Sequence, residues 1–262
     1  MLTVAGSDSS AGAGVQADLA TFAALGVFGT CALTAVTVQD TVRVRAVQCL
    51  PPRLVAAQIE AVLGDVGADA VKTGMLGESR IVSAVARALA AARVRNLVVD
   101  PVLRSTSGAM LLDHGGVRAL RERLLPLARV MTPNLSEASQ LAGVEAVDVR
   151  SATEAARRLL RLGARSVVVT GGHLVGEPVD VLADRRGIRR FVGRRVPAGA
   201  HGTGCVFSAA LAAHLARGAS LDEAVAWAKR FVERRLRRAV VLGSGRPRLD
   251  LRSPASSRRG VA

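Results

Sequence analysis

The sequence predicts one α/β domain built on a mostly parallel sheet with helices on both faces. Two observations carry that expectation. Short runs that are apolar throughout alternate with longer stretches of helical spacing, and strands of that kind are buried on both sides. The chain has 262 residues, half of them apolar, which is enough to bury one sizeable core.

The strand runs, in order, are LTVA (2–5), TCALTAVTV (30–38), DAVKT (69–73), NLVVD (96–100), RVMT (129–132) and SVVVT (166–170). Each is short and rich in β-branched residues. The first opens the chain and runs into a polar glycine turn, without the basic start and long apolar stretch of a leader peptide. Helical patterns fall between the strands, near residues 15–25, 52–64, 78–92, 113–125, 136–142 and 151–162. Residues 178–196 read as a strand pair around DRRG, and two helices follow at 203–217 and 220–238. No repeat or linker breaks residues 1–242, the expected extent of the domain. Glycine, proline, serine and arginine dominate 243–262, which reads as a disordered basic tail.

Composition removes several classes of function. No run approaches the eighteen or so apolar residues of a membrane span. The cysteines, Cys31, Cys49 and Cys205, are odd in number and scattered, so neither a disulfide framework nor a zinc site is expected, and a reducing cytoplasm is the natural setting. The net charge is +15, almost all of it arginine, since Lys72 and Lys229 are the only lysines. Tyrosine is absent and aromatics are 2%, so the stacking residues of a nucleic-acid binder are missing. A basic protein that handles phosphorylated small molecules fits better.

Ligands of open parallel sheets collect at the carboxyl ends of the strands. The segments leaving those ends are GSDSSAGAG, QDT, GML, DPVLRSTSG, TPNLSEA and GGH. All should gather along one edge, and HGTGC (201–205) is expected to join them. There Cys205 opens a helix behind the Gly202, Thr203 and Gly204 amides. A helix N-terminus collects anions and lowers a thiol pKa, although a free cysteine also makes a good small core residue.

Other motifs are more ambiguous. GAGVQA (12–17) fits the dinucleotide fingerprint, but GSDSS separates it from its strand, and turn glycines explain it equally well. No P-loop pattern occurs. Asp100 and Glu137 offer the one or two carboxylates that magnesium prefers, or are a turn acid and a first-turn acid. Gln39 suits the edge of an aminopyrimidine, or is an ordinary strand-end amide. Met75 suits a flat heterocycle or the core, and His173 and His201 read as turn residues.

Taken in order, VAGSDSSAGAGVQADLATFAALGVFGTCALTAVTVQDT, VKTGML, VVDPVLRSTSGAMLL, TPNLSEA, VVVTGGH and HGTGCVFSAALAA resemble the hydroxymethylpyrimidine/phosphomethylpyrimidine kinases. These are thiamin-pathway members of the ribokinase-like superfamily. The resemblance covers about residues 2–240 and implies a three-layer α/β/α fold. It also implies ATP-dependent phosphorylation of 4-amino-5-hydroxymethyl-2-methylpyrimidine and then of its monophosphate, with magnesium, in a cytoplasmic homodimer that binds neither nucleic acid nor membrane. Carried over residue by residue, Gly6, Asp18, Gln39, Met75 and Val102 would contact the pyrimidine. Asp100 and Glu137 would serve the metal, and Asn134, Thr170, Gly172 and Thr203 would serve ATP and its phosphates. Cys205 would accept or relay the hydroxyl proton, beside the anion-holding amides of Gly202, Thr203 and Gly204. Two departures stand out: Thr170 replaces a lysine found in many relatives, and LGSGRPRLDL matches the family's glycine-proline ending loosely. The rival expectations are a pyridoxal kinase, a nicotinamide oxidoreductase resting on GAGVQA, and a non-catalytic pyrimidine sensor.

Overall fold

The structure is a computed structural model that describes residues 1–105, 107–197 and 199–252. The chain begins with β1 (Leu2–Asp8), α1 (Gly14–Ala24), β2 (Thr30–Gln39) and β3 (Val44–Cys49). It then alternates through α2 (Pro52–Asp65), β4 (Val71–Thr73), α3 (Ser79–Ala91) and β5 (Leu97–Val99). The helix α4 (His114–Ala119) precedes β6 (Val130–Met131), α5 (Leu135–Ala142), α6 (Val149–Arg161) and β7 (Ser166–Val169). The hairpin of β8 (Val179–Asp184) and β9 (Gly187–Val192) leads to α7 (Thr203–Ala216) and α8 (Leu221–Leu236).

Nine strands form one sheet in the order β3-β2-β1-β4-β5-β6-β7-β8-β9. The six from β2 to β7 are mutually parallel, whereas β3, β8 and β9 pair antiparallel at the rims. The pleat sends alternate residues to opposite layers. Leu97, Val99, Val167 and Val169 join a core with α2, α3, α5 and α6. Val98 and Val168 join a second core with α1, α7 and α8. That is a three-layer α/β/α fold of the ribokinase-like kind. Among the described residues no helix is long and apolar enough to cross a membrane.

Two features of this architecture place the site. The chain passes from β1 to β2 on one side and to β4 on the other, so the order reverses at β1/β4, where a crevice opens at the carboxyl ends. Along the sheet, Thr3, Lys72 and Val98 stand in register. With Val98 in the α1/α7 core, Lys72 is placed on the same face, beneath those two helices.

The sequence-based expectations differ from the structure in three places. β3 was not expected; it is an exposed antiparallel rim strand whose VRAVQC alternation is short and interrupted by charge. The helix expected at 113–125 is three pieces: α4, a π turn at Leu120–Leu124 and a 3-10 turn at Leu125–Leu127, where Pro126 has no amide to continue an α-helix. The domain does not stop at residue 242. Leu249 is buried, and Val240 and Arg248 exchange backbone hydrogen bonds, so the chain to 252 is part of the folded body. The rest of the expected tail, 253–262, lies outside the described residues.

Candidate active site

The floor of the crevice is charged. Lys72 is completely buried at the centre of β4 and gives hydrogen bonds of 3.0 and 2.8 Å to the two oxygens of Asp18, which is itself fully buried on α1. Thr3 Oγ1 donates to the same carboxylate at 2.6 Å. Asp100, just beyond β5, lies 3.8 Å from the Lys72 ammonium and accepts a hydrogen bond from Ser208 of α7 at 2.9 Å. Burial works against every charge here. Burial raises the Asp18 carboxyl, against Lys72 and Thr3, while the ammonium, which faces two carboxylates, is held above its ordinary value in spite of its burial. This corrects the expectation for Asp18. Its oxygens are engaged by Thr3 and Lys72 and none of its surface is exposed, so it holds Lys72 rather than lining the crevice.

Above this floor α7 presents its N-terminus. Helices α5, α6 and α8 each start with a reciprocal capping box, a device worth about 1 kcal/mol. α7 has no side-chain cap. Its cap residue, Gly202, is left-handed at φ 82°, and a side chain there would overlap the Gly12 carbonyl oxygen. At Gly204 an added Cβ would meet open space. The first amides of α7 are therefore free of any side-chain cap, the arrangement that gathers phosphate oxygens. α7 itself is buried along most of its length, which fixes that N-terminus firmly.

Cys205 lies half-buried in this first turn. Its thiol stands near enough to the Gly14 amide and the Asp100 carboxylate for both to act on it electrostatically. Burial pushes it up to about 12; Lys72 opposes the shift, while Asp100 and Asp18 add to it. The sequence led to the opposite expectation, a thiol lowered by the helix N-terminus. Loss of solvent around the sulfur, with two carboxylates adding to it, outweighs both Lys72 and the partial charge of the helix end.

The glycine-rich loop between β1 and α1 is organised around Asp8. Its carboxylate accepts from the Ser10 amide and hydroxyl and from the Gly12 and Ala13 amides, at 2.7 to 3.1 Å. His201 Nε2 lies 3.3 Å from the same carboxylate and 3.2 Å from Gln39 Nε2. With Nε2 protonated the ring donates to Asp8; in the other neutral tautomer it accepts from Gln39. Burial alone would raise the Asp8 carboxyl, but His201 and Ser10 outweigh it and hold it below its ordinary value. Amides that a dinucleotide fingerprint would offer to a pyrophosphate are thus occupied by an acid of the same loop.

Gln39 sits half-buried at the crevice edge, beside a small cavity of about 50 Å³ shared with His201, Val42 and Ser105. Gly6 and Met75 face one another, and a Cβ on Gly6 would lie 3.0 Å from the Met75 sulfur. Thr34 fixes that methionine by donating to its carbonyl at 2.7 Å. Val102 is half-buried two residues past Asp100, to whose carbonyl its amide donates at 2.9 Å.

Glu137 takes the first-turn position expected for it. It closes the capping box of α5, accepting from the Asn134 amide at 2.8 Å while Asn134 accepts from its amide at 3.0 Å. It also faces Asp100. Burial and that neighbouring carboxylate raise it to about 8, against backbone hydrogen bonds from Asn134 and Leu103. Two buried carboxylates that resist joint ionisation fit a divalent cation, which would relieve their repulsion. Among the described residues no cluster of three or more His, Cys, Asp or Glu could hold a metal alone, so such an ion would complete its shell with water and phosphate oxygens.

On the far side Asn134 and Thr170 are brought together by a backbone bridge, the Thr170 amide donating to the Pro133 carbonyl at 2.9 Å. Gly172 is exposed, with its carbonyl held by Arg195 at 2.8 Å. The close approach is at Gly171 instead, where a side chain would overlap the Val179 carbonyl. Gly171 donates to Asp180 at 2.8 Å, and Asp180 pairs with Lys229 at 2.8 Å.

The segment after α8 ties the crevice together. The His201 amide donates to the Pro247 carbonyl at 2.8 Å, the Gly245 amide to Thr41 at 3.0 Å, and Arg248 to the Ser10 carbonyl.

Sequence reasoning missed Lys72, Gly171 and this segment. A lysine inside an apolar strand was the available signal for Lys72, since a fully buried ammonium requires a carboxylate.

The chain matches the family model for phosphomethylpyrimidine kinase over residues 8–250. It is 49% identical over 247 residues to the thiamine biosynthesis bifunctional protein ThiED of Geobacter sulfurreducens, covering 94% of this chain and 50% of that protein. This chain therefore spans about half the length of that relative. It is 43% identical to the hydroxymethylpyrimidine/phosphomethylpyrimidine kinase of Haemophilus influenzae, covering 94% of this chain and 93% of the relative. Among solved structures, an ADP complex of Bacillus subtilis pyridoxal kinase superposes with a TM-score of 0.88 at 39% identity, covering 95% of each chain.

Proposed function

The chain belongs to the phosphomethylpyrimidine kinase family, and on that premise we propose that it transfers the terminal phosphoryl group of ATP to 4-amino-5-hydroxymethyl-2-methylpyrimidine. The monophosphate so formed is the second acceptor, and the diphosphate is the product used in thiamin biosynthesis. The observation that carries this reading is the uncapped, left-handed start of α7 with Cys205 in its first turn, above Asp100 and facing the β1/β4 crevice.

The residues divide the work. The Thr203, Gly204 and Cys205 amides stabilise the equatorial oxygens of the phosphoryl group in flight. Gln39, Gly6, Met75 and Val102 seat the heterocycle, with the Gln39 amide offering a donor and an acceptor to the aminopyrimidine edge. The resting Cys205 thiol is protonated and stands near Asp100, so it relays rather than abstracts. As the acceptor oxygen bonds to the γ-phosphorus and the bond to the bridging oxygen of the departing ADP breaks, the hydroxyl proton passes to sulfur and the thiol proton passes to the Asp100 carboxylate. A loose transition state asks little base strength of this relay. Asn134 and Thr170 lie where the nucleotide phosphates would approach. Magnesium, held by Asp100 and Glu137, would neutralise charge on the β- and γ-phosphates.

The pyridoxal reading has its own support in the close superposition on a pyridoxal kinase; Gln39 favours the aminopyrimidine. Asp8 occupying the loop amides counts against a nicotinamide enzyme. The test is phosphate transfer with purified protein, ATP and magnesium, comparing the hydroxymethylpyrimidine, its monophosphate and pyridoxal. A higher kcat/KM for pyridoxal would reverse the assignment. The reading extends to a cytoplasmic setting and to a homodimer, the dimer supported by the exposed Val36 and Val38 on the outer face of β2.

A further inference from the structure

We propose that Lys72 is a positioning residue for phosphoryl transfer, an assignment that rests on the kinase reading above. Anchored by Asp18, it holds the Asp100 carboxylate and the Cys205 thiol in place at the crevice floor.

The geometry gives it no other task. Its side chain has no exposed surface, so it cannot touch a substrate. Two of its three protons go to Asp18 at 3.0 and 2.8 Å, and Thr3 locks that carboxylate from β1 at 2.6 Å. The ammonium is then fixed 3.8 Å from Asp100, whose same oxygen is held by Ser208 from α7 at 2.9 Å. Asp100 is thus gripped from the sheet by Lys72 and from the helix by Ser208. Ser208 Oγ, which grips Asp100, also lies 3.0 Å from the Cys205 carbonyl, so the contact that fixes the carboxylate also holds the turn that carries the thiol. Space for the ammonium is made by Gly74, where a Cβ would stand 2.8 Å from the lysine nitrogen.

Stability does not account for this arrangement. Replacing a buried ion pair by apolar residues of similar volume is often neutral or favourable, whereas removing one partner leaves an uncompensated charge. The pair lies directly beneath the reacting groups, and its removal should therefore show in rate more than in folding.

The test uses a double variant, because Lys72→Met alone leaves Asp18 buried without its counter-ion, a defect that acts on folding itself. In Lys72→Met/Asp18→Asn both charges go together. The expected result is a thermal midpoint near that of the wild type, unchanged Michaelis constants for ATP and the pyrimidine alcohol, and kcat reduced on the order of a hundredfold, the scale of a small misplacement of reacting groups. Calorimetric titration of the nucleotide-free protein with magnesium supplies a readout that needs no acceptor. Its affinity should tighten several-fold, because the ammonium no longer competes for Asp100. Wild-type kcat in the folded double variant, or an unchanged magnesium affinity, would overturn the assignment. A wild-type protein that leaves the pyrimidine alcohol untouched would instead overturn the family's substrate reading, and the magnesium titration would still decide the role of Lys72.

Discussion

At neutral pH the Cys205 thiol carries its proton, so its value to the reaction lies in where it stands. Cys205→Ala should keep the thermal midpoint and lower transfer to the alcohol by about a hundredfold or more; near-normal turnover in a folded variant would return the residue to the core. Glu137 gives a prediction of opposite character. Burial, then Asp100, raises it from 4.5 to about 8, so between those values the native protein holds a proton that the unfolded chain has released. Stability of the metal-free protein should therefore fall as pH rises from 5 to 8, by up to about 1.4 kcal/mol per unit. Glu137→Gln keeps a capping side chain and should flatten that slope in thermal melts at several pH values; an unchanged slope would place the proton elsewhere. The sequence made Cys205 legible because HGTGC is a local motif. It did not reveal the direction of the thiol's shift or the true partner of Asp18, since both depend on groups that α1, β4 and β5 bring together from distant parts of the chain.

At the scale of elements, the N-terminus of α7 sets the demands. Gly202→Ala would force a left-handed residue with a Cβ against the Gly12 carbonyl, a strain on the order of 1–3 kcal/mol, and should lose stability and activity together. Gly204→Ala meets open space within a helix, so its midpoint should hold or rise, while the added methyl beside the anion-holding amides slows transfer. Equal losses of midpoint in both variants would show that the turn is merely packed. The parallel strands and their helices were readable because a strand buried on both faces is apolar throughout. β3 was not, because a half-exposed rim strand mixes arginine with valine. The end of the folded chain was misplaced for a similar reason: residues 243–248 are polar and glycine-rich, yet the Gly245 amide donates to the Thr41 hydroxyl and the Pro247 carbonyl accepts from the His201 amide, contacts that no local pattern announces.

For the whole molecule, the exposed outer face of β2 carries Val36 and Val38 with 45% and 56% of their surface open. Val38 stands opposite Ala46 of the rim strand β3. A second copy would cover this face, and sedimentation should report a dimer that Val38→Lys converts to a monomer; a wild-type monomer at micromolar concentration would remove the homodimer from the reading. The fastening of the crevice has a different consequence. Arg248 reaches the Ser10 carbonyl across 238 positions of chain, and Gly245 reaches Thr41 across 204. During synthesis the β1–α1 loop emerges early and must wait for almost all the remaining chain before these contacts can form. A chain that ends before α8 has all nine strands and the core of α2, α3, α5 and α6, but neither a complete second core nor a finished crevice. The loop that opens the chain is therefore completed only by residues more than two hundred positions downstream of it.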